Sequence, residues 1–104
     1  MKSFAAIVLL GACAVAQAET YVGCFSTAVS SHSATSQFMS YGFCESECKK
    51  QCGAVAMAIS GNLCHCGKLP AQSDLVDDAK CNQPCPGFDT QNCGGDNTFS
   101  VFTI

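Results

Sequence analysis

The sequence predicts a small α+β domain in which disulfide bonds hold one helix against an antiparallel sheet. Three observations lead to this class. Ten of the 104 residues are cysteines, three of them follow at four-residue intervals (Cys44, Cys48, Cys52), and two more lie two residues apart (Cys64, Cys66). Residues spaced by four share a face of a helix, and residues spaced by two share a face of a strand. A chain this short buries a modest core, which small exported domains supplement with disulfides.

Residues 1–18 have the pattern of a secretory signal peptide. Lys2 precedes an apolar run from Phe4 to Val15, which leads into the small-residue triplet Ala16-Gln17-Ala18. At about 12–15 residues, the run is shorter than the ~20 that a membrane span needs. We therefore expect cleavage after the triplet and export into a compartment where cysteines form disulfides.

The remaining chain is acidic and rich in cysteine. Without residues 1–18 it keeps nine cysteines, four lysines, no arginine and eight carboxylates, a formal charge of −4. Nucleic acids and anionic membranes favour clustered Lys and Arg, so neither is expected as a partner. Zinc is an alternative at Cys64-His65-Cys66, but zinc sites favour C-x2-C knuckles and paired histidines, which the sequence lacks. We expect disulfides, with no metal and no other cofactor.

A strand and then a loop are predicted at the start of the domain. Residues 21–25 are a short run of β-type residues that predicts the first strand. Residues 26–36 are rich in Ser, Thr and Ala without a periodic apolar pattern. They predict a surface loop, with His32 as a solvated residue.

The most helical segment follows Ser40, which predicts an N-cap. From Cys44 to Cys52 the acidic residues come first and the lysines later, an order that complements the helix dipole. Gly53 is placed to end the helix. All three cysteines of this segment are then expected on one helix face.

A β-hairpin is predicted next. Residues 54–60 alternate alanine with larger apolar residues, Gly61-Asn62 is typical of a two-residue turn, and residues 63–66 return antiparallel. Helix residues four apart rise by about 6 Å and strand residues two apart by about 6.6 Å. Two of the three helix cysteines are therefore expected to bridge Cys64 and Cys66, and the spacing leaves open which two.

The rest of the chain predicts little regular structure before a last strand. Residues 68–80 are irregular, and Asp77 and Asp78 are expected to be solvated because an adjacent pair lacks the spaced oxygens of a calcium loop. Residues 81–87 predict a constrained turn, and residues 98–104 predict a closing strand.

Six short motifs, in this order, make the sequence similar to one family. They are Tyr21-Val22-Gly23-Cys24-Phe25, Cys44-x3-Cys48, Cys64-His65-Cys66-Gly67, Cys81-Asn82-x-Pro84-Cys85-Pro86-Gly87, Cys93-Gly94-Gly95 and Phe99-Ser100-Val101-Phe102. Together they resemble the WSC domain, a cysteine-rich module of fungal cell-wall stress sensors and of some secreted carbohydrate-active proteins. We interpret residues 19–104 as one such domain, from a single-domain secreted fungal member.

The resemblance implies a PAN/apple-like α+β fold with four disulfides among eight cysteines: Cys24, Cys44, Cys48, Cys64, Cys66, Cys81, Cys85 and Cys93. Cys52 is a ninth cysteine outside this set and is the candidate free thiol, either buried and inert or able to link two chains. The sensors' stalk, membrane span and cytoplasmic tail have no counterpart here. The expected location is therefore secreted, extracellular or cell-wall associated, without a membrane anchor.

The resemblance also implies a non-catalytic module that binds cell-wall polysaccharide such as β-glucan, chitin or xylan. The residues agree that an enzyme is not expected, since the mature chain has two histidines and neither a serine elbow nor an acid/base motif. Glycan binding needs aromatic faces and fixed hydrogen-bonding side chains at the surface. The candidate ligand-binding residues lie at element ends and in turns: Tyr41, Phe43, Phe88, Asn92, Asp96 and Asn97.

The alternative function belongs to a different class. The domain would act as a protein-interaction or structural cell-wall protein, or as a secreted effector on a protein partner, with self-association as one form of that role. Binding to a wall protein that competing glycans do not diminish would favour this alternative.

Overall fold

The structure, a computed structural model, describes residues 19–104. The predicted signal peptide therefore lies outside the described residues. These residues form one α-helix and eight strands: β1 (Thr20–Phe25), β2 (Val29–Thr35), α1 (Tyr41–Lys49), β3 (Ala56–Ser60), β4 (Leu63–Lys68), β5 (Leu75–Val76), β6 (Pro84–Cys85), β7 (Phe88–Asn92) and β8 (Phe99–Thr103). Six strands make an antiparallel sheet in the order β2-β4-β3-β8-β1-β5, and β6 and β7 pair separately. The predicted α+β class is confirmed.

Helix α1 begins where the sequence predicts and ends earlier. The Ser40 side chain accepts a hydrogen bond from the backbone N–H of Phe43 at 3.1 Å, so the predicted N-cap is confirmed. The helix ends at Lys49, and the chain then turns through Gly53, whose φ of 99° suits glycine. Cys52 therefore lies in this turn and not on the helix face, a correction to the prediction.

The hairpin and its two bridges follow the spacing argument. Ser60 and Leu63 face each other across the Gly61-Asn62 turn, and Gly61 has a φ of 60°. Disulfides join Cys44 to Cys64 and Cys48 to Cys66. The rise from Cys44 to Cys48 along the helix therefore matches the rise from Cys64 to Cys66 along the strand. Of the three predicted candidates, Cys44 and Cys48 form these bridges.

Strand β2 corrects the prediction of a loop at residues 26–36. It pairs with β4 along its whole length, with Ser33 opposite His65, although its side chains are mostly exposed. The edge of β4 supplies backbone hydrogen bonds, so this strand forms without an apolar face of its own, and local propensity is overridden by tertiary context. His32 is half-buried in this strand rather than solvated in a loop.

Strand β3 is buried on both faces of the sheet. Met57 and Ile59 pack with the half-cystines of α1 and β4 in one cluster. On the opposite face Ala58 packs with Phe25 and Val101. The larger side chains therefore point to the helix, as the alternation predicts, and the small alanine leaves room for neighbours on the other face.

Two further disulfides fasten the less regular part of the chain. Cys24 of β1 is bonded to Cys81, and Cys85 of β6 is bonded to Cys93, just beyond β7. With the two helix bridges, they pair all eight cysteines of the WSC set. They hold residues 77–95 against the sheet where ordinary secondary structure is sparse.

The structure corrects the prediction that Cys52 is a free thiol. It is disulfide-bonded, and no described cysteine is a free thiol. It is also exposed rather than buried. The prediction rested on the resemblance, because the other eight cysteines fit the WSC pattern and Cys52 lies outside it.

Candidate functional site

A cavity of about 260 Å³ lies where β1, β8, the start of α1 and the 78–81 segment meet. Two tyrosines, one phenylalanine and four smaller residues line it: Tyr21, Tyr41, Asp78, Cys81, Asn92, Ser100 and Phe102. We call this cavity the groove. Its lining comes from five separate places in the chain, so the disulfide that joins Cys24 to Cys81 helps to hold its walls together.

An aromatic cluster forms one side of the groove. Phe102 is 3% exposed and lies opposite Tyr21 in the β1–β8 register. The Tyr21 ring packs edge-on against it with 5.2 Å between centroids, and the Tyr41 ring packs at 4.6 Å with a tilt of 57°. Phe102 is thus a buried support on which the two tyrosines rest, and Tyr21 remains 45% exposed.

Hydrogen bonds fix both tyrosines in place. The Tyr21 hydroxyl donates to the Asp78 carboxylate at 2.9 Å. The Asn92 backbone N–H donates to the Tyr41 hydroxyl oxygen at 2.9 Å, and the Tyr41 backbone N–H donates to Gln91 Oε1, also at 2.9 Å. The rings are therefore oriented before any ligand arrives, which lowers the entropy that binding must remove.

The same contacts set the protonation of Tyr21. Burial raises the pKa of its phenol, and the hydrogen bond to Asp78 and the charge of that carboxylate raise it further. Tyr21 therefore stays a neutral hydroxyl throughout the physiological range. Among the lining residues Asp78 is the one carboxylate, and none is a lysine or histidine.

This arrangement suits a neutral ligand that is rich in hydroxyls. Aromatic faces offer apolar contact to ring C–H groups, while carboxylate, amide and hydroxyl groups accept and donate hydrogen bonds. Glycoside hydrolysis commonly requires a pair of carboxylates across the scissile bond, and the groove lining contains a single one.

The structure brings two of the six predicted ligand-binding residues into the groove. Tyr41 and Asn92 line it. The predicted role of the other four remains a prediction. Phe43 is partly buried and packs against the core, and Phe88 is 51% exposed on β7. Asp96 and Asn97 are exposed in the turn before β8.

Sequence reasoning did not assign a ligand-binding role to the other five lining residues of the groove. Phe102 belongs to the core cluster and also lines the groove. Asp78 was expected to be solvated, and it is exposed yet bonded to Tyr21. The register between β1 and β8 could have placed Tyr21 beside Phe102 in advance. No local pattern indicates the contact of Tyr21 with Asp78, 57 positions away.

A cluster of sulfur atoms lies under α1. The Sγ atoms of Cys44, Cys48 and Cys64 lie within 4.8 Å of one another, a spacing that a metal site would also show. All three atoms belong to disulfides, so none is available as a thiolate ligand. The cluster is a structural staple.

The opposite face of the sheet holds a smaller polar contact. Ser33 Oγ lies 3.0 Å from His65 Nδ1, and the imidazole packs edge-on against the Phe99 ring with 5.7 Å between centroids. Burial lowers the pKa of His65. This contact is separate from the groove.

The fold is a small disulfide-stapled α+β domain with a preorganised aromatic groove, and comparison with known proteins places it in a family. The family model of the WSC domain matches residues 21–95. The chain belongs to the WSC domain family. No helix in the described part of the chain is long and apolar enough to cross a membrane.

Similar proteins come from yeasts. The chain is 32% identical over 97 residues to cell wall integrity and stress response component 2 of Saccharomyces cerevisiae, covering 86% of this chain and 19% of that protein. It is 28% identical over 105 residues to protein SLG1 of the same species, covering 99% of this chain and 28% of that protein. A third similar protein is cell wall integrity and stress response component 1 of Schizosaccharomyces pombe. It is 39% identical over 46 residues, covering 44% of this chain and 12% of that protein. The chain thus spans under a third of the length of each.

Proposed function

We propose that this domain is a non-catalytic, lectin-like module that binds neutral cell-wall polysaccharide through the groove. The observation on which the proposal chiefly rests is the pair of fixed tyrosine rings, Tyr21 and Tyr41, beside carboxylate and amide groups. Two similar proteins are named as cell wall integrity and stress response components, which supports a cell-wall setting and an extracellular location.

Charge indicates the class of polysaccharide. Asp78 lies in the groove lining without a cationic side chain beside it there, so an anionic sugar would meet a like charge. β-Glucan, chitin and xylan backbones are rich in hydroxyl or amide groups and lack that conflict. Neutral polymers are therefore the expected ligands.

The test is retention of the oxidised domain, residues 19–104, on insoluble β-glucan, chitin and xylan. Tyr21→Ala removes an exposed ring, and we expect retention to fall about tenfold, the equivalent of one aromatic contact. Tyr21→Phe keeps the ring and is the matched control, so it should retain most of the binding. Circular dichroism of both variants checks that the fold is intact.

Two outcomes would contradict the proposal. Wild-type domain that is retained on none of the three polymers would rule it out. Equal retention of Tyr21→Ala and wild type would rule out the groove as the site. Capture of a wall protein that soluble glycans do not compete away would favour the alternative role in protein interaction.

A further inference from the structure

We propose that the glycan site continues from the groove along β7 to a second aromatic platform, formed by Phe38 and Phe88. The domain would then bind the interior of a polysaccharide chain and not a single terminal sugar. This inference rests on the proposed function, and it assigns a second part of the site.

The two phenylalanines are exposed, and the backbone segments that carry them are in contact. Phe38 is 69% exposed and Phe88 is 51% exposed. The Gly87 N–H donates to the Met39 carbonyl at 2.8 Å, which brings the two backbone segments together. A Cβ on Gly87 would collide with the Phe38 carbonyl oxygen, so glycine permits this close approach. We call this pair of rings the outer platform.

Strand β7 connects the outer platform to the groove. Its first residue, Phe88, belongs to the platform, and its last residue, Asn92, lines the groove and bonds to the Tyr41 hydroxyl. The four residue steps from Phe88 to Asn92 span about 13 Å. The two sites are therefore separate, yet close enough for one extended chain to reach both.

Polar side chains cover the surface of β7 between the outer platform and the groove. Alternation along a strand places Phe88, Thr90 and Asn92 on one face, and all three are exposed. A ligand that follows this face meets an aromatic ring, a hydroxyl, an amide and then the tyrosines of the groove. The Cys85–Cys93 disulfide closes the hairpin that presents it.

The order of aromatic and polar side chains along this face favours a glycan as the ligand. A protein partner would favour a contiguous apolar patch, whereas on this face of β7 the polar residues Thr90 and Asn92 follow Phe88. A sugar chain presents C–H faces and hydroxyls in alternation, which matches the track. Asp78 at the groove end of the track disfavours an acidic chain, as in the groove itself.

The experiment is calorimetric titration with neutral oligosaccharides of increasing length, prepared from whichever polymer retains the domain. We expect affinity to rise steeply between the disaccharide and the hexasaccharide, because only the longer chain reaches the outer platform. The double substitution Phe38→Ala/Phe88→Ala should weaken hexasaccharide binding by about tenfold or more. It should leave disaccharide binding unchanged.

Matched variants separate the possible outcomes. Val55→Ala removes another exposed apolar side chain, 54% exposed and away from β7, and should change neither affinity. Tyr21→Ala should weaken both oligosaccharides because it acts in the groove. Equal affinity of wild type for the two lengths, or an unaltered hexasaccharide affinity in the double variant, would overturn the outer platform and leave the groove intact. Absence of binding to any oligosaccharide or polymer would overturn both proposals.

Discussion

The half of the domain around α1, β3 and β4 and the half around the groove bury very different side chains. In the first half, the two disulfides between α1 and β4 (Cys44–Cys64 and Cys48–Cys66), which we call the staple, are fully buried together with Met57 and Ile59. In the second, Tyr21 is 45% exposed and Asp78 is exposed, and the buried lining residues are Phe102, Cys81 and Ser100. We refer to them as the stapled half and the groove half.

The difference shows how a small domain separates stability from recognition. Helix α1 takes part in both, because Cys44 and Cys48 face the sheet while Tyr41, at the first turn, reaches the groove. The staple fixes the helix, and the helix in turn fixes a ligand-facing ring. Binding groups supported by rigid elements lose less entropy on binding.

Removal of one bridge from each half should give the largest effects and should distinguish the halves. Cys48→Ala/Cys66→Ala opens a loop of 18 residues and should lower the free energy of unfolding by about 3 kcal/mol. Cys85→Ala/Cys93→Ala opens a loop of 8 residues and should cost about 2.5 kcal/mol. Urea unfolding measures both.

Glycan retention then sharpens the comparison. At a temperature where both double variants are folded, the second should lose more binding, because its disulfide holds β7 and Asn92. Equal losses of retention, or a larger loss in the Cys48/Cys66 variant, would contradict the division into two halves.

A smaller effect is expected at Gly87, just before β7, where the chain contacts the segment before α1. Gly87→Ala places a methyl group against the Phe38 carbonyl oxygen, and should lower the free energy of unfolding by about 1–2 kcal/mol. Gly42→Ala is the matched control, because a Cβ there meets nothing within 4 Å. A Gly87→Ala protein as stable as wild type in urea would show that the contact is loose.

The smallest effect concerns pH and His65, outside the groove. Burial lowers its pKa in the folded state, so the unfolded state binds the proton more readily. Stability is therefore full above the ordinary histidine pKa of about 6.5 and falls as the pH drops below it. The urea midpoint should be lower at pH 5 than at pH 7.5, and His65→Gln should reduce that difference.

His32→Gln is the control for this measurement, since it leaves the contact between Ser33 and His65 in place. It should keep the pH dependence of the wild type. A dependence that persists unchanged in His65→Gln would show that another group causes it.

Local patterns in the sequence predicted the stapled half well. The Ser40 cap, the Gly61-Asn62 turn and the pairing of helix cysteines with Cys64 and Cys66 depend on neighbours in the chain or on simple repeat lengths. Strand β2 was mistaken for a loop, since its partner β4 lies about 30 residues away and its serines carry no apolar signal.

The groove half was less predictable, because distant residues form it. Tyr41 and Asn92 were predicted as ligand-binding candidates from their places at element ends, but they meet across 51 positions. Tyr21 and Asp78 meet across 57. Such contacts follow from the disulfides and the sheet register, and no local pattern specifies them.

The measurement that tests the central claim most directly is the tyrosine fluorescence of the domain during titration with a neutral oligosaccharide. The chain contains no tryptophan and two tyrosines, Tyr21 and Tyr41, and both line the groove. The emission therefore reports on this site alone. We expect a saturable change with the same midpoint as calorimetric binding. Calorimetric binding without any change in tyrosine emission would contradict the claim that the groove holds the glycan.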